Sequence, residues 1–352
     1  MAENNLKNIL KVLHRTPCSQ AELCEKLGLS KSHIHKLVFN LITPGIVEKV
    51  EDNEYTQEQG RPRQTLRIAD SMQYCTVLVI HTTWEFRAYI YVYGHSHELG
   101  YIDLPKCDNV DDFINTLEVG IDHLTKSYFL KRELILSTVI ATQATIEQGE
   151  TGTMYRNNCL KDENIEFAKL ISSKTKIRTF VFNFGYGYLL ALHHNKDVNT
   201  DSAIVIQCGE GSVALGIFLD NKMQLGRNQS FPECSHLPYP YGFENSLGVF
   251  GEHSEDALFF AISVLAPIYN VSNVYIAGSA FEKHIDAIEN VKAKLLENAD
   301  PRLHNLSVTY TGNGAGTYMK ELIYLSFDTL VDVLDPQIIK RDLESMISQI
   351  KY

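Results

Sequence analysis

Residues 19–42 read SQAELCEKLGLSKSHIHKLVFNLI, and this stretch decides how the N-terminal part of the chain folds. Ser19, followed three residues later by Glu22, forms a capping box, a pattern with which helices begin. Gly28 supplies a tight turn after that helix, and Ser30 caps the next one. Two helices joined by a short turn that contains glycine are typical of a helix-turn-helix.

The second helix of this pair, from Lys31 to about Ile42, is predicted to have one buried and one exposed face. Its apolar positions recur at helical spacing, at Ile34, Leu37, Val38 and Leu41. The exposed side chains near its start can donate hydrogen bonds to phosphates or base edges, and none is acidic. We therefore predict DNA contacts from Ser30, Lys31, Ser32, His33, His35 and Lys36. A further amphipathic helix, Asn4 to His14, precedes the pair.

A hairpin is predicted after the helices, with strands at Ile46 to Val50 and Thr65 to Ile68. Its polar tip carries Arg61-Pro62-Arg63. Two arginines on a stiff extended hook suit a narrow minor groove, so we assign Arg61, Pro62 and Arg63 to DNA binding as well. The alternative is a plain three-helix bundle with a solvated basic loop, and the tip also carries the carboxylates of Glu51, Asp52, Glu54 and Glu58.

The distribution of charge separates this N-terminal segment from the rest of the chain. The 352 residues carry a net charge of −11, of which residues 1–70 contribute +1 and residues 71–352 contribute −12. An acidic body repels DNA, so the N-terminal segment is expected to make the contacts alone. A chain of this length is also expected to divide into two or three domains.

The sequence gives no sign of a membrane span, a leader peptide or a disulfide framework. No apolar run approaches the ~20 residues that a spanning helix needs, and the first residues lack the features of a signal peptide. Its seven cysteines are odd in number, and none forms a Cys-x-x-Cys pair. We expect free thiols in a cytoplasmic protein.

The body shows the same order of predicted elements twice. Residues 74–101 and 203–225 each form a β-meander, and each is followed by alternating helices and strands. This is the layout of a two-lobed, actin-like α/β fold. We therefore expect a winged helix-turn-helix at 1–70, a first lobe at 71–190, and a second lobe at 191–330. A C-terminal helix at about 330–352 is expected to return to the first lobe. Further helices are predicted at 165–172, 281–297, 315–333 and 336–350.

Several segments of the chain resemble those of the repressor branch of the ROK family of repressors and sugar kinases. They are Gly60-Arg61-Pro62-Arg63, the strand-turn-strand at 204–217, the Pro232-Glu-Cys-Ser-His236 segment and Val274-Tyr-Ile-Ala-Gly278. Their order and spacing agree over nearly the whole chain. The resemblance implies the actin-like, sugar-kinase-like ROK fold behind a winged helix-turn-helix.

The chain departs from the ROK kinases where their chemistry is done. Their Asp-x-Gly-Gly-Thr phosphate loop is replaced by Ile80-His-Thr-Thr-Trp84, which lacks the glycines that let backbone amides surround a phosphate. Their Asn-Asp pair, which holds the general base, is Asn183-Phe184 here, and a phenyl ring cannot accept a proton. The ligand loop Pro-Gly is replaced by Gln143-Ala144. The segment Tyr239 to Gly251 has no counterpart of the family's zinc-binding cysteines, so neither zinc nor another cofactor is expected.

Three polar positions of the family's ligand pocket remain, namely Asn183, Glu233 and His236. If the protein binds a small ligand, we predict that these three side chains contact it. The sequence then favours a non-catalytic ROK-type transcriptional regulator that binds double-stranded operator DNA as a homo-oligomer, a dimer or a tetramer. It is expected to control genes of carbohydrate metabolism or host adaptation. Two alternatives remain open: a sugar kinase or sugar-binding protein with a vestigial head, and a regulator that receives its signal from a protein partner.

Overall fold

The computed structural model describes residues 2–51, 64–69, 74–93, 97–147, 152–194, 198–209, 211–235, 237–312 and 318–333. Four residues assigned above to binding, Arg61, Pro62, Arg63 and His236, lie outside these ranges. The helix predicted at 336–350 lies outside them too.

The N-terminal part of the chain contains three helices and a hairpin. The helices are α1 (Ala2–Arg15), α2 (Gln20–Leu27) and α3 (Lys31–Ile42), and the antiparallel strands are β1 (Val47–Glu51) and β2 (Gln64–Ile68). The predicted capping box is present: the Ser19 hydroxyl accepts from the backbone of Glu22, whose carboxylate accepts from the Ser19 backbone N–H at 2.7 Å. Gly28 ends α2 with φ +65°, a left-handed conformation that glycine adopts without steric cost.

The first sheet of the body is mixed, in the order β10-β6-β3-β4-β5. Strands β10, β6 and β3 are parallel, whereas β3, β4 and β5 form the predicted antiparallel meander. The elements of this part of the chain are β3 (Cys75–His81), β4 (Phe86–Val92), β5 (His97–Asp103), α4 (Val110–Ser127), β6 (Ile135–Thr142), β7 (Ala144–Ile146), β8 (Thr153–Asn157), β9 (Ile165–Glu166), α5 (Phe167–Thr175), β10 (Arg178–Asn183) and α6 (Phe184–His194).

The second sheet repeats this arrangement, in the order β13-β12-β11-β14-β15. Its meander is β11 to β13, and β14 and β15 run parallel to β11. The elements are β11 (Ser202–Gly209), β12 (Ser212–Leu219), β13 (Lys222–Met223), α7 (Phe243–Gly248), α8 (Ser254–Tyr269), β14 (Asn273–Ala277), α9 (Ile285–Leu296), β15 (Ser307–Tyr310) and α10 (Tyr318–Val333). Two sheets with the same topology confirm the repeated pattern read from the sequence.

Helices α9 and α5 begin later than the sequence predicted, whereas α1 begins at Ala2, two residues before the predicted Asn4. Helix α9 begins at Ile285 rather than Phe281, because the chain first makes a 3₁₀ turn after Gly278. Gly278 has φ +96°, and a Cβ there would lie 2.3 Å from the carbonyl oxygen of Cys208. Helix α5 begins at Phe167 rather than Ile165, because Ile165 pairs with β8 in a small third sheet, β7-β8-β9.

Helix α10 packs on the first sheet, although residues 318–330 fall in the range expected from the sequence to form the second lobe. Its buried Leu322, Ile323 and Phe327 share one apolar core with residues of the first sheet such as Val139. The physical reason is complementarity, because the apolar side of α10 covers a sheet face that is rich in tyrosine and phenylalanine. The same core includes Ile9 and the other inward residues of α1 to α3.

No helix in the described part of the chain is long and apolar enough to cross a membrane.

Candidate nucleic-acid interface and interlobe cleft

Helix α3 presents a polar face to solvent near its N-terminus. The side chains of Ser30, Lys31, Ser32, His35 and Lys36 are exposed, while the apolar stripe of α3 is buried against α1 and α2. Ser30 caps the helix by accepting a hydrogen bond from the backbone of His33. All five of these predicted side chains are therefore accessible at the N-cap and in the N-terminal half of α3.

His33 is the exception in this set, since it is only partly exposed. The side-chain amide of Asn5 in α1 donates to its Nε2, with 3.3 Å between the two nitrogens. A ring held against α1 is less free to reach a base edge than its neighbours on α3.

The helices α1 and α10 are joined by a group of ion pairs. Arg15 donates to Asp328 at 2.8 Å and to Glu321 at 3.2 Å, and His194 at the end of α6 donates to Glu321 at 2.7 Å. Burial alone would raise the pKa of Glu321, but His194 and Arg15 outweigh it and the pKa is lowered. Burial raises the pKa of Asp328, against the pull of Arg15. These contacts fix the orientation of α1 on the body.

His14, next to Arg15, is buried between α1 and α10. Its ring stacks on Phe327 with centroids 4.1 Å apart and meets Tyr93 and Tyr324 edge-on. Burial, with a smaller contribution from the neighbouring charge of Arg15, lowers the pKa of His14 to about 3. The imidazole is therefore neutral at physiological pH.

A polar cleft lies between the two sheets. The first lobe contributes the small sheet that begins with β7 and the start of α6, and the second lobe contributes β12 and the segment before α7. Its lining includes side chains that were not predicted from the sequence to bind a ligand, namely Gln143, Thr145, Arg156, Asn158, Gln207, Ser235 and Glu244. For the residues around β7, the replacement of the Pro-Gly loop by Gln143-Ala144 was the one signal in the sequence.

Asn183 and Glu233, both predicted to bind a ligand, do line this cleft. Asn183 donates to the carbonyl of Ala144 at 2.9 Å and accepts from the backbone N–H of Gly185 at 2.8 Å. Its amide therefore orders the first turn of α6.

Glu233 links the two lobes directly. One carboxylate oxygen accepts from the Thr145 hydroxyl in β7 at 3.0 Å, and the other accepts from the backbone N–H and the hydroxyl of Ser235. A ligand that used Glu233 would have to displace the Thr145 hydroxyl or share the carboxylate with it.

The loop that stands in place of the family's phosphate loop folds back on itself. The N–H of Thr82 donates to the carbonyl of Glu85 at 2.7 Å, and the N–H of Glu85 donates to the Thr82 hydroxyl at 3.0 Å. Trp84 from this loop contacts Phe184, which also lies 5.2 Å from Tyr318, measured between ring centroids. These rings give an apolar surface beside the polar cleft.

Within the described ranges, no three His, Cys, Asp or Glu side chains come together as a metal site would require. Cys208 and Cys234 are buried, and burial raises the pKa of both thiols. A buried protonated thiol is a poor nucleophile and a poor metal ligand.

No sequence-family model matches this chain, and no curated protein matches it in sequence. Solved structures do. A crystal structure of a ROK family transcriptional regulator, described as a homolog of the E. coli MLC protein, superposes with a TM-score of 0.68 at 18% identity and covers 94% of this chain and 98% of its own.

Two sugar kinases also match. A putative sugar kinase from Cytophaga hutchinsonii has a TM-score of 0.52 at 13% identity and covers 70% of this chain and 98% of its own. A ROK family glucokinase from Streptomyces griseus, in complex with glucose and AMPPNP, has a TM-score of 0.52 at 11% identity and covers 72% and 98%. The chain therefore has the actin-like α/β fold seen in ROK proteins. Because regulators and kinases share that fold, the fold does not choose between their functions.

Proposed function

We propose that this protein is a DNA-binding transcriptional regulator of the ROK type and that it has no kinase activity. Residues 1–70 act as a winged helix-turn-helix, with α3 as the recognition helix and the β1–β2 hairpin as the wing. The matched regulator covers 94% of the chain, whereas the two kinases cover 70% and 72%, which supports an additional segment in front of a kinase-like body.

The observation that carries the proposal is the exposed face of α3. Lys31 and Lys36 stand on it beside hydroxyl and imidazole donors, and the twelve residues of α3 include no carboxylate. The remainder of the chain is strongly acidic, so this face is where a polyanion can approach. Arg61 and Arg63 are proposed to enter the adjacent minor groove.

The loss of catalysis is supported by the side chains beside the cleft. Trp84 and Phe184 occupy the positions that the resemblance assigns to the phosphate loop and to the general base. Neither ring can accept a proton, and neither position supplies the glycine-lined amides that surround a phosphate, so these positions lack the groups that the ROK kinases use for phosphoryl transfer.

The rest of the chain is proposed to hold the helix-turn-helix segments of two or more protomers at a fixed spacing. Dimeric helix-turn-helix proteins read half-sites about one helical turn apart, so a homodimer or a tetramer fits this role. The cleft lined by Asn183 and Glu233 is proposed as the site of a small-molecule signal, with His236 proposed as a further ligand contact, and a protein partner is the second candidate. The polar lining of the cleft favours the first.

Selection of bound fragments from a genomic library with the full-length protein tests the proposal. A shared motif should be recovered, and Lys31→Ala with Lys36→Ala should reduce its binding at least tenfold, since each lost phosphate or base contact weakens affinity. The double variant Lys126→Ala with Lys174→Ala removes two exposed charges from the body and serves as the matched control. Failure to recover any motif would contradict the proposal.

A further inference from the structure

One apolar side chain stands on the exposed face of α3. Phe39 is 63% exposed, and it is the only large apolar side chain in the described part of residues 2–69 that is so accessible. The other large apolar residues of α3 are at least partly covered, and most are buried in the core. Single exposed apolar side chains are common on protein surfaces, so the position of Phe39 relative to its neighbours on α3 decides what it can contact.

The helical repeat places Phe39 in line with the predicted base-reading residues. Ser32, His35 and Lys36 precede it by seven, four and three positions, and all are exposed. At 3.6 residues per turn these side chains form one stripe, about 10 Å long from Ser32 to Phe39. The stripe lies opposite the buried side of α3. Phe39 is therefore presented to the same partner as Ser32, His35 and Lys36.

The side chains around Phe39 indicate which class of molecule it contacts. Lys36 lies one turn before it and Asn40 beside it, both exposed, and no carboxylate occurs on α3. A protein surface that is attracted by lysines offers carboxylates, which desolvate poorly against a phenyl ring. The major groove of DNA offers both features at once, since its phosphates are anionic and the C5-methyl group of thymine is its apolar base-edge group.

We propose that Phe39 reads the C5-methyl group of a thymine in each operator half-site, and so helps to set sequence specificity. This inference rests on the proposed function. The half-site is then asymmetric in its contacts: hydrogen-bond donors at the start of α3 read one part, and an apolar contact two turns later reads a T·A pair. Phe39 was not among the contact residues predicted from the sequence.

The test uses the full-length protein and a motif recovered by selection from random DNA. Each thymine of the motif is replaced in turn by deoxyuridine, which removes the methyl group and keeps base pairing. At one position per half-site, the wild type should bind about three- to fivefold more weakly, the factor expected for one buried methyl group. For Phe39→Ala the same replacement should change affinity by less than 1.5-fold.

Two control variants test whether the effect is specific to an apolar side chain at position 39. Phe129→Ala removes an exposed phenyl ring from the body, 95% exposed, and should show the wild-type response to deoxyuridine. Phe39→Leu keeps an apolar tip and should retain part of the discrimination. Because Phe39 is mostly exposed, its replacement should leave the thermal midpoint within ~1 °C of the wild type.

The outcomes separate this inference from the proposed function. If no motif is recovered, the proposed function fails. If a motif is bound but deoxyuridine has the same effect on wild type and Phe39→Ala at every position, the DNA-binding function stands and the role of Phe39 is refuted. A change of oligomeric state in Phe39→Ala, with unchanged thymine discrimination, would refute it as well and assign Phe39 to contact between copies of the chain.

Discussion

The rings of Trp84 and Phe184 meet edge to face, with centroids 5.8 Å apart and planes at 86°. Trp84 comes from the turn after β3, and Phe184 is the first residue of α6, so the contact joins the two positions that the resemblance assigns to the phosphate loop and the general base. An aromatic pair of this geometry is favourable beyond its burial. It stabilises the apolar surface beside the polar cleft.

The first prediction is that the protein does not phosphorylate sugars. A coupled assay with ATP and a panel of hexoses and amino sugars should show no turnover. Phe184→Asp alone should not restore it, because the loop at 82–85 remains closed on itself and lacks glycine. ATP-dependent turnover that is abolished by Asn183→Ala would contradict this expectation.

The second prediction concerns the hook. Replacing Arg61 and Arg63 by alanine should cost several kcal/mol of specific binding, at about 1–3 kcal/mol for each good contact. Competition binding to the selected motif measures the loss, and the Lys126→Ala/Lys174→Ala variant controls for a general change of charge. Operator affinity within twofold of wild type would show that the hook does not enter the groove.

The third prediction is that Arg15 contributes strongly to stability. Removing it by Arg15→Met leaves Asp328, whose side chain is 20% exposed, without this partner, and leaves Glu321, 10% exposed, with His194 in place of two basic partners. We expect a loss of about 2–4 kcal/mol in the free energy of unfolding, below the full effect for a completely buried pair. Arg302→Met breaks the exposed pair with Asp300 and should cost less than about 1 kcal/mol. Urea unfolding at pH 7 compares the variants, and equal midpoints would contradict the prediction.

The fourth prediction is that His14 makes the stability of the protein depend on pH. Its pKa of about 3 in the folded protein lies below the ordinary value of about 6.5, so between these values the unfolded chain binds more protons. Stability should therefore fall as pH drops from about 6.5 towards 3. In His14→Phe this contribution is absent, and the fall between pH 7 and pH 4 should be smaller than in the wild type. The exposed His123→Phe is the matched control, and an unchanged slope in His14→Phe would refute the assignment.

The fifth prediction is weak binding of common sugars. A sugar hydroxyl must compete with Thr145 for Glu233, and each unpaired polar group in the cleft costs about 1–3 kcal/mol. Two such losses would weaken a micromolar site to roughly millimolar or worse, so calorimetry with glucose, N-acetylglucosamine and their phosphates should give no dissociation constant below about 10 micromolar. Tighter binding that disappears in Glu233→Ala would show that the pocket is intact.

Local signals in the sequence predicted the helical parts well, because helices depend on neighbours along the chain. The capping box at Ser19 and the cap at Ser30 gave the starts of α2 and α3. Contacts between distant residues could not be predicted in the same way. The bond from Thr145 to Glu233 spans 88 positions, and the short strands β7 and β8 have too few residues to show an alternating pattern. For the same reason the sequence did not show that α10 covers the first sheet.

Helices α1 to α3 share one apolar core with α10 and the first sheet, and this has a consequence for protein engineering. The sequence led us to expect a domain boundary at residue 70, but Ile9, Leu78 and Leu322 lie in one apolar cluster that crosses it. A fragment cut at that boundary would expose the side of α1 that normally rests on α10, and it would lose the partners of Arg15. Chimeras that exchange DNA specificity should therefore transplant α10 together with the N-terminal helices, or regraft only the outward positions of α3 onto an intact host.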